Sequence, residues 1–168
     1  MFEKNEYVYH ETGGVCMVSD ICYAPLDGMP ADRLYYVLSP VRDPNSTICI
    51  PVDANGVFVR ALMDRVEAED LMGQVSEIEP FDEPNAKLLR LKYVEAMRTH
   101  RPAEWVRVIK TVRGRAIAKT GRARLSESER TFAENATRNL SLELGMALGI
   151  DSRAAECAIL ERVRAAEV

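Results

Sequence analysis

The chain has 168 residues, 47% of them hydrophobic and 29% charged, the profile of a soluble globular protein of one domain or two small ones. Its opening, MFEKNEYVYHE, carries Glu3, Lys4 and Glu6 and lacks the basic-then-apolar build of a signal peptide, and no apolar run approaches the ~20 residues of a membrane span, so a cytoplasmic protein with no membrane contact is expected. The net charge of −4 hides a split: residues 1–80 carry −9 and residues 81–168 carry +5, which points to two halves with different partners.

From Tyr7 to Ile50 the signals are those of strands. YVY is followed by a Gly13-Gly14 turn and VCMVSDICY, then a polar loop with Pro25, Gly28 and Pro30. RLYYVL comes next, and Pro44-Asn45 precedes STICI. Four or five short strands with tight turns predict a small, strongly bent sheet or barrel. After Pro51, VFVRALMDRVEAEDLM places Val57, Leu62, Val66 and Leu71 at roughly helical intervals, so one helix is expected to close an end of that sheet. Residues 73–85, GQVSEIEPFDEPN, hold two prolines and four acids and have the composition of a linker.

Beyond residue 85 the periodicity is helical. Leu88, Leu91, Val94 and Met97 fall three apart, and Trp105, Val108, Ile109, Val112 and Ala116 form one stripe, with Arg107 and Lys110 pointing away from it. Trp105 is expected in the core. Ser126 and Glu129 have capping-box spacing ahead of Phe132, Ala136, Leu140 and Leu144, with Gly149 near the end of that helix. Asp151 or Ser152 then caps a last helix through Ile159 and Val163. The expected fold is therefore α+β in two domains: a β-rich domain with a closing helix over 1–72, a linker over 73–85, and an all-α bundle of about four helices over 86–168.

Candidate chemistry is sparse. Cys16, Cys22, Cys49 and Cys157 lack CxxC or CxxxxH spacing, and they read as small apolar residues of a reduced compartment. Cys16 and Cys22 lie an even number of residues apart in one strand and are expected on the same face. No metal site, cofactor or catalytic residue is assigned. The chain lacks G-x-x-x-x-G-K-[ST], G-x-G-x-x-G, G-x-S-x-G and H-E-x-x-H, and its two histidines, His10 and His100, offer little acid–base capacity. Residues 87–130, with thirteen Lys and Arg against four Glu, have the charge of a phosphate-binding surface.

The segments VYHETGGVCMVSDI, RLYYVL and TICIPVDANGVFVRAL resemble, in order, the N-terminal module of the CarD-like family of bacterial transcription regulators, a module shared with transcription-repair coupling factors. The resemblance lies in Val8-Tyr9, in Gly14-Val15 with Val18 and Ile21, and in Tyr36-Val37-Leu38. It continues through Ile50-Pro51-Val52-Asp53 and Val59-Arg60-x-Leu62, and RARLSESERTFAENATRNLSLELGMALG is similar to a helix of the family's second domain. It implies a Tudor-like β-barrel that docks on the β-subunit lobe of RNA polymerase, and a helical domain that touches promoter DNA upstream of the melted region, largely without base readout.

On this basis the polymerase-docking edge is placed at Thr47, Ile48, Cys49, Ile50 and Pro51, where an edge strand would pair with a partner strand and the proline would end the ladder. An internal strand with both faces covered is the alternative for this stretch. DNA contacts are placed first at Lys87, Arg90 and Lys92, then at Lys119, Arg122, Arg124 and Arg130. The chain departs from the pattern in two ways. Cys49 and Ala24 stand where basic residues occur in some members, and Ala86 or Lys87 stands where some carry a tryptophan that wedges into the minor groove. A monomeric, non-enzymatic regulator is expected. The alternative is an adaptor whose helical domain binds a second protein instead of DNA.

Overall fold

The structure, a computed structural model, describes residues 1–118 and 125–166. The chain is α+β and divides into two compact units, Met1–Leu62 and Met63–Val168.

The first unit is a curled five-stranded antiparallel sheet. Its strands are β1 (Tyr7–His10), β2 (Gly14–Tyr23), β3 (Leu34–Pro40), β4 (Ile48–Pro51) and β5 (Val59–Ala61), in the order β4-β3-β2-β1-β5. Alternation along each strand supplies the core: Val8, Cys16, Val18, Tyr36, Leu38 and Ile50 are buried together, with Ile21 and Ile48 packed against them. The tight β1–β2 connection needs glycine twice. Gly14 has φ +66, and a Cβ on Gly13 would stand 2.7 Å from Ile48 Cδ1 and 2.8 Å from Cys16 Sγ.

Two expectations for this unit are corrected. The register shifts between Val18 and Asp20, and this bulge at Ser19 inverts the alternation beyond it. Cys16 therefore lies in the core while Cys22, next to the core-facing Ile21, belongs to the other face. The stretch after Pro51 also does not begin a helix: Val59–Ala61 is β5, paired with β1 through Tyr9↔Arg60, so Val57 packs on the sheet core and Val66 is 65% exposed.

The second unit holds α1 (Arg65–Gln74), α2 (Ala86–Arg98), α3 (Pro102–Ala118), α4 (Glu127–Leu148) and α5 (Ser152–Ala165). Their boundaries follow from sequence chemistry. Asp64 with Glu67 and Ser126 with Glu129 form reciprocal capping boxes, Asn85 and Asp151 cap α2 and α5, and Gly149 ends α4 in the left-handed region. α4 packs against each of the other four helices, burying Ala136, Leu140 and Leu144. Trp105, Val108, Ile109 and Val112 are buried as their stripe predicts, whereas Ala116 is exposed. α1 groups with this unit, where it packs on α4, although the sequence pattern assigns it to the β domain. Buried Glu143 of α4 accepts a hydrogen bond from the Met63 N–H at 2.9 Å, fixing the chain just ahead of α1.

Residues 75–81 are a strap bound to α3, not a linker. Lys110 Nζ donates to the carbonyls of Val75 (2.8 Å) and Ser76 (3.3 Å), Arg107 Nε donates to the Glu79 carbonyl (3.0 Å), and Phe81 N–H donates to Thr111 Oγ1 (2.9 Å). The Arg107 guanidinium also lies 5.3 Å from the Phe81 ring centre, and that ring packs against Tyr93. Arg107 and Lys110 thus both bind the strap, and Lys110 is only 8% exposed. Charge-assisted bonds of this kind contribute about 1.5–3 kcal/mol each. Lys110→Met, which keeps the aliphatic stem, is expected to lower stability by about 2 kcal/mol in urea titration and to remove amide-exchange protection from residues 75–81.

His10 is buried, and its Nδ1 accepts from the Gly13 N–H at 3.1 Å with Thr12 Oγ1 at 3.2 Å. Burial holds its pKa below the usual 6.5, against the opposing pull of Glu11. Above that value the ring is neutral folded and unfolded. As pH falls below it the unfolded chain takes up a proton that the native ring resists, so stability falls. Between about pH 7.5 and 5.5 the urea midpoint of the wild type should decline, and His10→Asn, which keeps an acceptor, should flatten that decline.

Candidate functional site

β4 is at one edge of the sheet, with β3 as its strand neighbour. Tyr35↔Pro51, Tyr36↔Ile50, Val37↔Cys49 and Leu38↔Ile48 face one another, and Val52 N–H donates to the Leu34 carbonyl at 2.9 Å. In an antiparallel ladder the residues bonded to the neighbour alternate with residues whose N–H and C=O point the other way. The Val52 bond therefore assigns Ile48 and Ile50 to the bonded set and turns the main-chain groups of Thr47, Cys49 and Pro51 toward the open side. Side chains obey the same alternation. Ile50 is buried and Ile48 packs on the core, while the Cys49 side chain belongs to the opposite face.

These five residues come together as one short edge with divided roles. Ile48 and Ile50 seat the strand, and Thr47 and Cys49 present free donor and acceptor positions. Pro51 has no N–H, so the open ladder loses its donor there. Burial, with a smaller contribution from Cys22, pushes the Cys49 thiol up, which leaves the edge without charge at neutral pH. The opposite edge, β5, is three residues long, too short to template extended pairing. Nearby charges are already matched: Arg33 binds Asp53 at 2.7 Å, and Lys4 binds Asp20 at 3.0 Å.

Four of the seven expected DNA-contacting residues lie among the described residues. Lys87 and Arg90 are exposed on α2, next to one another in space around the first turns. Lys92 is held by Glu83 at 3.2 Å, and Glu83 is itself kept below the usual carboxylate range first by the Asn85 N–H and then by Lys92. Arg130 is paired with Glu127. Lys119, Arg122 and Arg124 lie outside the described residues. Arg115, part of the same positive segment, bonds the buried Glu129 at 2.7 Å. Burial alone would raise the Glu129 pKa, but the Ser126 N–H and Arg115 together outweigh it and bring it below normal.

α2 presents a feature that its sequence pattern conceals. Leu89, Tyr93 and Ala96 are its buried face, and Leu88, Leu91 and Val94, which fall three apart in the sequence, are 48%, 57% and 37% exposed. On the outward face Lys87, Leu91, Val94 and Arg98 follow at i, i+4, i+7 and i+11, a helical stripe with a cation at each end. The signal was available: 89, 93 and 96 keep helical spacing, whereas a strict interval of three drifts around the axis.

No family model and no curated protein matches the chain. Among the described residues no three His, Cys, Asp or Glu side chains converge as a metal site, and no helix is long and apolar enough to cross a membrane.

The parity of β4 separates two substitutions. Ile48→Pro deletes a bond to β3 and strands the buried Leu38 carbonyl, so thermal unfolding should show a loss of at least about 2 kcal/mol. Cys49→Pro deletes only an outward N–H and should leave the fold intact by circular dichroism.

Proposed function

We propose that this chain is a non-enzymatic bacterial transcription regulator of the CarD-like kind. Its sheet unit is a Tudor-like module that adds a strand of the RNA polymerase β-subunit lobe to β4, at Thr47, Ile48, Cys49, Ile50 and Pro51. Its helical unit meets promoter DNA through Lys87, Arg90, Lys92, Lys119, Arg122, Arg124 and Arg130. The protein works in the cytoplasm as a monomer and needs no cofactor.

The observation that carries this reading is the edge position of β4 with outward main-chain groups at Thr47 and Cys49. Such an edge gives affinity through hydrogen bonds that any extended partner supplies, and it requires no catalytic residue. A factor bound to both polymerase and upstream DNA acts by linkage: it shifts the closed-to-open equilibrium by its difference in affinity for the two complexes. Binding of the full chain to the isolated β lobe of its host's polymerase tests the docking half. The wild type should bind, the folded Cys49→Pro variant should bind at least tenfold more weakly, and no binding by the wild type would overturn the proposal.

A second reading is favoured by the exposed Leu88, Leu91 and Val94. A contiguous apolar face flanked by cations suits a protein helix with acidic ends better than phosphates, which makes the chain an adaptor on polymerase. Salt dependence separates the two. If DNA is the partner, log affinity should fall with log salt at about −0.9 per phosphate neutralised, and Lys87→Ala with Arg90→Ala should reduce the slope by about two. Undetectable DNA binding by a chain that still binds the β lobe, or binding insensitive to salt, would leave the adaptor reading standing.

A further inference from the structure

Beside β4 the sheet unit has a half-open cavity of about 380 Å³, whose lining includes Phe2, Tyr36, Ile50, Val52, Val57 and Val59. It exceeds the roughly 150 Å³ that holds a benzene ring in an engineered protein core. At its wall the Tyr36 hydroxyl accepts a hydrogen bond from the Phe2 N–H at 3.0 Å. The two edge strands contribute to it from opposite sides, Ile50 from β4 and Val59 from β5.

The ladder register points at this cavity. Tyr36 and Ile50 are directly paired across β3 and β4, and both line it. Residues directly opposite in a ladder present their side chains to the same face. A strand added to the open side of β4 continues that row, so its residue opposite Ile50 faces the cavity, while its neighbour opposite Cys49 takes the outward main-chain bonds. One position further, Pro51 has no donor, so this residue stands at the end of the ladder.

We infer that the cavity receives one apolar side chain from the partner strand, anchoring an extended segment whose flanking residues are basic. The inference rests on the reading of β4 as a docking edge and adds the chemistry of what docks there. The basic flanks follow from charge: exposed Glu3 succeeds the lining residue Phe2, and with Lys4–Asp20 and Arg33–Asp53 already paired Met1–Leu62 still carries two basic against six acidic residues. The same net charge of −4 disfavours a second copy of this unit as the occupant.

The test uses the full chain and the isolated β lobe of the host polymerase, with affinity measured by calorimetry for the wild type, Cys49→Pro and Val57→Phe, the last chosen to fill the cavity. Val57→Phe should keep or raise the melting temperature and weaken lobe binding at least tenfold, as Cys49→Pro does. If Val57→Phe folds and binds like the wild type while Cys49→Pro does not, the cavity inference is overturned and the edge reading survives. If the wild type fails to bind the lobe, both fall. Should Val57→Phe fail to fold, a fluorotyrosine placed at position 36 decides: its resonance shifts when the lobe binds if a side chain enters, and an unchanged resonance on a saturated complex overturns the inference.

Discussion

The hydrogen bond from Val52 to Leu34 sets the parity of β4, and the sheet unit depends on that parity. With it fixed, Ile48 and Ile50 face inward, and the turn between β1 and β2 must make room for Ile48, because Gly13 has no space for a Cβ beside it. Cys49 is then obliged to offer its main chain outward. A shift of one residue would put Ile48 and Ile50 in solvent and the thiol in the core, at a cost of about 1.5–3 kcal/mol for each isoleucine. The open edge is therefore held in register by the core behind it.

The helical unit spends its charge differently. Of the cations between residues 87 and 130, Lys92, Arg107, Lys110, Arg115 and Arg130 are engaged by carboxylates or by carbonyls of the 75–81 strap. A count of Lys and Arg treats all of them as surface, but a lysine whose ammonium binds two main-chain carbonyls adds little field outside. The positive potential of this segment rests on fewer groups than its composition implies, and Lys87 and Arg90 share their helix with exposed leucines.

Much of the fold was legible because local chemistry is explicit in it. Ser126 with Glu129, Gly149 and Asp151 mark helix ends that the structure reproduces, and the strands from Tyr7 to Ile50 follow from alternation and turn residues. What was not legible depends on tertiary partners. Residues 73–85 have a linker's composition, and only the side chains of Arg107, Lys110 and Thr111 on a later helix turn them into a strap. The bulge at Ser19, whose hydroxyl donates to the Val37 carbonyl, is invisible without its neighbouring strand, so the parity of Cys22 came out inverted. β5 is too short for alternation to distinguish it from the start of a helix. At the candidate site the edge residues were identifiable, but which of them face outward required the register.

Energetics argue against a docking edge that works alone. Thr47, Cys49 and the Pro51 carbonyl offer about five outward groups, and net hydrogen bonds of about 0.5–1.5 kcal/mol each give a few kcal/mol. Association costs about 4–15 kcal/mol in lost freedom before side chains are ordered, so main-chain pairing along five residues does not produce a stable complex by itself. The same shortness keeps β4 from templating unwanted partners. Specific binding therefore needs apolar burial beside the edge or a second contact elsewhere on the assembly. In the second case the helical unit binds at the effective concentration set by the first, and two weak contacts become one strong one. A chain with a short guarded edge in one unit and a cationic, partly apolar helix face in the other is suited to such a two-point attachment, in which the second contact strengthens the first.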